Sequence, residues 1–442
     1  MTTSDVGATE VGTGRSILRD RNFRRFWIGE TVSMLGSSIT LFSLAVIAVD
    51  LLDASPAQMG LIRIMGELPA LVVGLVVGVW VDRLAKRRLL VTLDVLAALA
   101  VATVPVAYAF DLLSIGQLFA LAIVFGILDT FWDPAWNAFL PRVVVPGRLV
   151  DANSKIMLSA SATGIVGPGL AGFLIDVLSA PIALVVDAVS FLYSAVSVGG
   201  VRSRAGPKPE TEQAEDAGVT IRRRIAEGLR VAFLDPLQRA ITAPSAILAL
   251  VDALSLAVYV IYALRTVAMP AWAFGVVFMA GSAGFLLGSA VAPRIERRLG
   301  AGRAALLGLG LVGASPFTMV LANAVHPLWL NLVFLGIPGL VGGFGGIIQW
   351  VMLASIRQAT VPERLLGRVF SSIGVLRAVM GIVGAALGGW LGQTVGIRPT
   401  ILVAAVGYTV PFFSSLFSPL RTATTGASPS GAEAADTIER DA

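Results

Sequence analysis

Seven carboxylates and two guanidinium groups interrupt runs that are otherwise almost wholly apolar: Glu30, Glu67, Asp94, Asp129, Asp133, Asp187 and Asp252, with Arg63 and Arg377. A carboxylate in apolar surroundings is costly to keep charged, so it exchanges a proton more readily than one in water. Arg63 stands four residues before Glu67 on the same helical face, so the two can pair. The remaining chemistry is sparse. The chain has no Cys and a single His, His326, which removes thiol nucleophiles, disulfides and Cys-based metal sets together. Its three lysines, Lys86, Lys155 and Lys208, stand in no GxxxxGK[ST] context, so no phosphate-cradling loop of that kind is available. No nucleophile–base pair and no metal set emerges, so the sequence reads as a non-enzyme without a cofactor.

These charges need elements to hold them. Of 442 residues, 56% are hydrophobic and 14% charged, with a mean hydropathy of +0.83. Soluble domains carry about 25% charged residues, so lipid is the expected outer solvent. Apolar runs of about 20 residues, enough to cross a bilayer as a helix, recur at 26–51, 57–81, 89–110, 115–139, 156–178, 181–201, 240–262, 271–293, 304–324, 328–354, 366–392 and 398–418. Of the 33 Arg and Lys residues, 29 fall on one side of this twelve-span pattern. Arg265 and Arg398 occupy the other. The asymmetry places both termini in the cytoplasm. The net charge of +5 is thereby assigned to topology and lipid rather than nucleic acid. Outer loops of a few residues leave no room for an extracellular domain, and no obligate protein partner is indicated.

The spans divide six and six. The expected organisation is an N-tail at 1–25, a six-helix bundle at 26–201, a linker at 202–239, a second bundle at 240–418 and a C-tail at 419–442. Within the linker Ile221, Ile225, Leu229 and Phe233 fall four apart, and arginines take the other faces. That pattern suits a helix lying on the membrane surface. The halves repeat: Gly74-xxx-Gly78 returns as Gly284-xxx-Gly288, VPGRLV (145–150) as VPERLL (361–366), and IVGPGLAGF (165–173) as IVGAALGGW (382–390). Such repeats place a binding site near the midplane, between the halves. The fold expected is all-α: twelve transmembrane helices in two pseudo-symmetric six-helix bundles.

Between spans two and three stands Gly78-Val-Trp-Val-Asp82-Arg83-Leu-Ala-Lys86-Arg87-Arg88. It resembles the G-x-x-x-D-R-x-x-x-R-[RK] loop of the major facilitator superfamily. Gly164, Gly167, Pro168, Gly169 and Gly172 in span five look like the Gly-Pro signature of that superfamily's antiporters. Stretches 22–40, 60–83, 140–154 and 186–195 are similar to macrolide-efflux and enterobactin-exporter-like facilitators. Two departures stand out. Span four lacks the Arg of the drug-antiporter signature, and Ala97 stands where related sequences often carry an Arg three positions after Asp94.

The resemblance implies secondary transport by alternating access, with lipophilic small molecules exported against protons across a bacterial cytoplasmic membrane. Glu67, Asp129, Arg63 and Arg377 are the proton-coupling candidates, although Arg63–Glu67 also fits a fixed structural pair. Gly78, Asp82, Arg83, Arg87 and Asp133 form the expected cytoplasmic gate. Phe125, Trp132, Trp136, Phe344 and Trp350 are candidate cavity walls or, alternatively, packing or lipid-facing aromatics. Glu30 is expected to reach cytoplasmic water, Asp94 to pair with the Arg83–Arg88 cluster, and Asp187 and Asp252 to be structural. Two rival readings are a facilitator for a siderophore or other metabolite, and a nontransporting receptor or scaffold.

Overall fold

The computed structural model describes residues 17–145, 148–202, 230 and 232–423. Twelve of the described helices are long and apolar enough to cross a membrane. In the first half they are α1 (Arg21–Val46), α2 (Pro56–Arg83), α3 (Lys86–Ala109), α4 (Ile115–Val143), α5 (Leu149–Leu178) and α6 (Ala180–Gly199). In the second they are α7 (Pro236–Ile261), α8 (Ala271–Leu299), α9 (Ala301–Ala314), α10 (Leu328–Thr360), α11 (Glu363–Thr394) and α12 (Ile397–Leu416). A 3₁₀ turn at Ser315–Leu321 continues α9. Most of the surface-helix and tail expectations for 1–25, 202–239 and 419–442 lie outside the described residues.

Several helices run past their apolar stretch on the side of the chain ends. α5 begins at Leu149 and α8 continues to Leu299. The hydrogen-bonded backbone persists where Arg and Lys take over from aliphatic residues, because a helix satisfies its own polar groups in lipid and water alike.

Packing repeats between the halves. α1 packs on α5 and α6, α2 on α4, and α3 on α4 and α6. Likewise α7 packs on α11 and α12, α8 on α10, and α9 on α10 and α12. The repeat reaches the chain details. Asp20 caps α1, accepting from the backbone of Asn22 at 2.8 Å, and Asp235 caps α7 through Leu237 at 2.7 Å. Such caps satisfy amides that have no partner within the helix. Both helices end in one wide π turn, Ile47–Leu51 and Tyr262–Thr266. Each is followed by a residue in the left-handed region, Asp53 at φ 51° and Ala268 at φ 56°.

Between the halves the main contacts are α5 on α8 and α2 on α11, pairs exchanged by the same pseudo-symmetry. Both interfaces are closest on the side away from the chain ends. A Cβ on Gly172 would lie 2.7 Å from the Ala271 carbonyl, and one on Gly60 would lie 2.5 Å from the Ala385 carbonyl. Gly389 likewise approaches Pro56 and Ala57. Small residues allow backbones this near, which matters because packing rather than hydrophobic expulsion drives helix association in lipid. Toward the termini side the helices part. Gly367, Gly374 and Gly381 of α11 face open space, and Met157 and Leu158 of α5 are exposed.

Candidate functional site

The far side is closed by a latch built on the two π turns. Arg265 donates to the Val49 carbonyl and pairs with Asp53 at 2.6 Å. It therefore ties the α1–α2 connection to the α7–α8 connection, one from each half. Arg265 entered the sequence reading only as a topology marker. A carboxylate in a short loop gives no hint of which loop faces it.

Pro168 gives the α5–α8 contact a second function. It has no N–H, so the Gly164 carbonyl loses its donor one turn on. The Ser282 hydroxyl of α8 donates to that carbonyl from the opposite half. Gly169 faces Met279, and Gly275 of α8 packs against the Pro168 carbonyl. Gly167 turns instead toward Ser38 of α1. Gly164, Pro168, Gly169 and Gly172 thus lie where the two halves meet, while Gly167 packs within the first half.

Where α2 and α11 begin to diverge, charges gather. Arg63 pairs with Glu67 at 3.0 Å, and both side chains are partly exposed. Antiparallel packing of Gly60 on Ala385 puts Glu67 at about the depth of Arg377 across the opening. Asp252 of α7 lies within electrostatic reach of both Arg377 and Arg63, and accepts a hydrogen bond from the Tyr408 hydroxyl at 2.6 Å. These four charges come from three helices and both halves. Asp252 is exposed as well as held by Tyr408. A lone acid in an apolar span shows nothing in sequence about which side it faces.

Asp129 is exposed on α4, one turn from the equally exposed Asp133. Asp133 makes no ion pair with Arg83 or Arg87 among the described residues. Arg87 donates instead to the Val201 carbonyl at 3.2 Å. The expected latch of Asp133 is therefore unmade here, as the open termini side requires. The contacts of Gly78 and of the Asp82 side chain lie outside the described residues.

The other acids divide clearly. Glu30 is 5% exposed and does not reach water, a correction to the expectation. It sits deep in α1 beside buried Asp94 of α3. Asp94 has Ser194 of α6 next to it rather than the basic cluster, a second correction. α3 turns Asp94 inward with Leu90, Leu93 and Ala97, away from its basic first turn. Asp187 is wholly buried and accepts hydrogen bonds from Thr40 and, at 2.8 Å, from Ser190. His326 sits in the α9–α10 turn beside Asn323.

The aromatic candidates are scattered. Trp132 and Trp136 stack 5.9 Å apart at the termini end of α4, and Phe26 lies 6.3 Å from Trp136. Phe125 packs toward Phe191 of α6, inside its own half. Phe344 packs against the apolar core around α9 and α10, and Trp350 is exposed.

Two repeated six-helix sets, closed on one side and parted on the other around a charge cluster, now stand beside what is known of other proteins. The Major Facilitator Superfamily profile matches residues 26–385. The chain belongs to that superfamily. This major facilitator is accordingly a multi-pass membrane transporter of small molecules and not an enzyme. It is 30% identical over 374 residues to the multidrug efflux pump Tap of Mycolicibacterium fortuitum, covering 80% of this chain and 85% of that one. It is 23% identical over 180 residues to macrolide efflux protein A of Streptococcus pyogenes, covering 41% of this chain and 44% of that one. Among solved structures it matches a bacterial homologue of the iron transporter ferroportin in an inward-facing state, with TM-score 0.73 and 18% identity. That match covers 91% of this chain and 99% of the other. At that identity the likeness shows the fold.

Proposed function

We propose that this major facilitator exports lipophilic small molecules by proton antiport, its two halves alternately opening to either face of a bacterial cytoplasmic membrane with both termini cytoplasmic. The observation that carries the reading is the combination of a small-residue seal on one side with exposed, exchangeable charges at the point of divergence. In the conformation described, Glu67 is held by Arg63 and open to the cavity. When the termini side closes, α2 and α11 come together at the depth of Glu67 and Arg377. Glu67 then exchanges one guanidinium for another, with Asp252 taking the one released. Glu67 stays paired in both conformations, whereas Asp252, with no cation within 4.0 Å among the described residues, gains one on closure; its charge then depends on which side is open, the condition for coupling a proton to the conformational change. In this reading Arg63 and Arg377 are the swapping cations, and Asp129 is a second acid on the cavity wall. Asp82, Arg83, Arg87 and Asp133 assemble as the gate only when the termini side closes. The likeness to Tap and to macrolide efflux protein A supports lipophilic drugs as cargo. Trp132 and Trp136, partly buried, offer them an aromatic wall near the cavity mouth.

Everted vesicles holding a preformed pH gradient test the proposal. A transported lipophilic amine dissipates the gradient with the wild-type chain, and Glu67→Gln abolishes that dissipation. Cargo movement without any proton movement would favour the facilitator reading instead.

A further inference from the structure

A cavity of about 460 Å³ is lined by residues of the second half. Its walls explain its existence. α7 presents Leu248, Asp252, Ser255 and Tyr259 along one face, at helical spacing. α10 opposes them with Gly339, Gly342, Gly346 and Gln349. Three of those four positions lack a side chain, so the helices are held apart by other contacts and the space between them stays unfilled. A Cβ on Gly346 would find its nearest atom, in Val312, 3.9 Å away.

Among the polar side chains that line this space, Asp252, Ser315 and Gln349 stand out. Asp252 is exposed in it, and among the described residues no cation lies within 4.0 Å of its carboxylate. The Ser315 hydroxyl and the Gln349 Oε1 are buried with no hydrogen-bond partner, and Ser315 as a whole is only 5% exposed. The Ser315 Oγ lies 3.3 Å from where a Cβ on Gly342 would stand, so it is aimed into the gap. Buried polar atoms left without partners are rare, and their desolvation is unrecovered until something occupies the site. Asp187 of the first half is the opposite case: it is fully buried and accepts from both Thr40 and Ser190.

We propose that this cavity binds an amphipathic amine, its ammonium at Asp252, its apolar body along the glycine face of α10, and a second N–H donor at Gln349 Oε1. Arg377 and Arg63 lie within electrostatic reach of the same carboxylate, so a bound ammonium opposes their closer approach to it. The inference rests on the export reading for calling the ligand cargo; binding itself does not require proton coupling.

Equilibrium fluorescence binding with the purified full chain in detergent tests it. The probe is dansylcadaverine, which carries a primary ammonium and a sulfonamide N–H, with N-acetyl-dansylcadaverine as its uncharged counterpart. The wild type binds the amine at least about tenfold more tightly than the acetylated form, the scale of one charge-assisted hydrogen bond. Asp252→Asn, which retains an acceptor for Tyr408, removes that preference and leaves acetylated-probe affinity within about twofold. Gly346→Leu fills the space without touching a charge and weakens both probes. Both variants are compared after confirming wild-type elution as a monodisperse species. Absence of saturable binding by the wild type, a charge preference that persists in Asp252→Asn, or indifference to Gly346→Leu overturns the site. Binding that follows the expected pattern beside vesicles that show no transport leaves the site standing and removes the export reading alone.

Discussion

Arg265→Ala releases the only side-chain latch described between the two far-side connections. The Asp53 carboxylate is 92% exposed, so its ion pair contributes about 0–1 kcal/mol. The bond to the Val49 carbonyl weighs more. Val49 is completely buried, and a charge-assisted hydrogen bond to such an acceptor contributes about 1.5–3 kcal/mol. Together the loss is about 1.5–4 kcal/mol. It falls on one conformation alone, because the two connections separate when the far side opens. A two-state equilibrium therefore shifts about 10- to 900-fold toward the far-side-open form. The absence of Cys makes the chain its own background for the assay. Ala271→Cys places one thiol against Gly172 in the seal, where Ala271 is 8% exposed. A membrane-impermeant maleimide applied from the far side labels it slowly in the parent, and faster by the stated factor in Arg265→Ala. An unchanged labelling rate would show that the latch does not hold the seal.

Further outcomes follow from the same contacts. Gly172→Leu forces a side chain against the Ala271 carbonyl and Trp272 backbone, so it favours the far-side-open form and raises labelling of the thiol at Ala271→Cys. Ser282→Ala leaves the Gly164 carbonyl without a donor beside Pro168; it costs about 1–3 kcal/mol, read as a lower midpoint in thermal unfolding. Asp187→Ala removes the acceptor of two buried hydroxyls and lowers the same midpoint by about as much or more, while Asp187→Asn is milder. Glu67→Gln retains binding of a lipophilic amine but loses its coupling to protons.

The number and order of the helices were legible because lipid imposes one constraint on every span and basic residues mark one side of each. Where the helices end was less legible. Arg and Lys stop an apolar run but do not stop a helix, so α5 and α8 extend beyond the sequence reading. The π turns after α1 and α7 carry no signal of their own, since Ile47–Leu51 and Tyr262–Thr266 read as ordinary helical sequence. The Arg63–Glu67 pair was readable because both residues share one helix. Asp252 was not, because its neighbours Tyr408 and Arg377 come from helices far along the chain. The expected Asp133 latch illustrates a different limit. Its residues are arranged for a closed termini side, and a single conformation with that side open separates them.

Alternation itself is tested most directly by two distances in one cysteine-free background. Spin labels at Met157→Cys and Leu287→Cys report the termini side across α5 and α8, and labels at Leu112→Cys and Val325→Cys report the far side. On adding a lipophilic amine under a proton gradient, the first distance shortens in the same population in which the second lengthens. Both distances staying fixed through every substrate and proton condition would contradict the account.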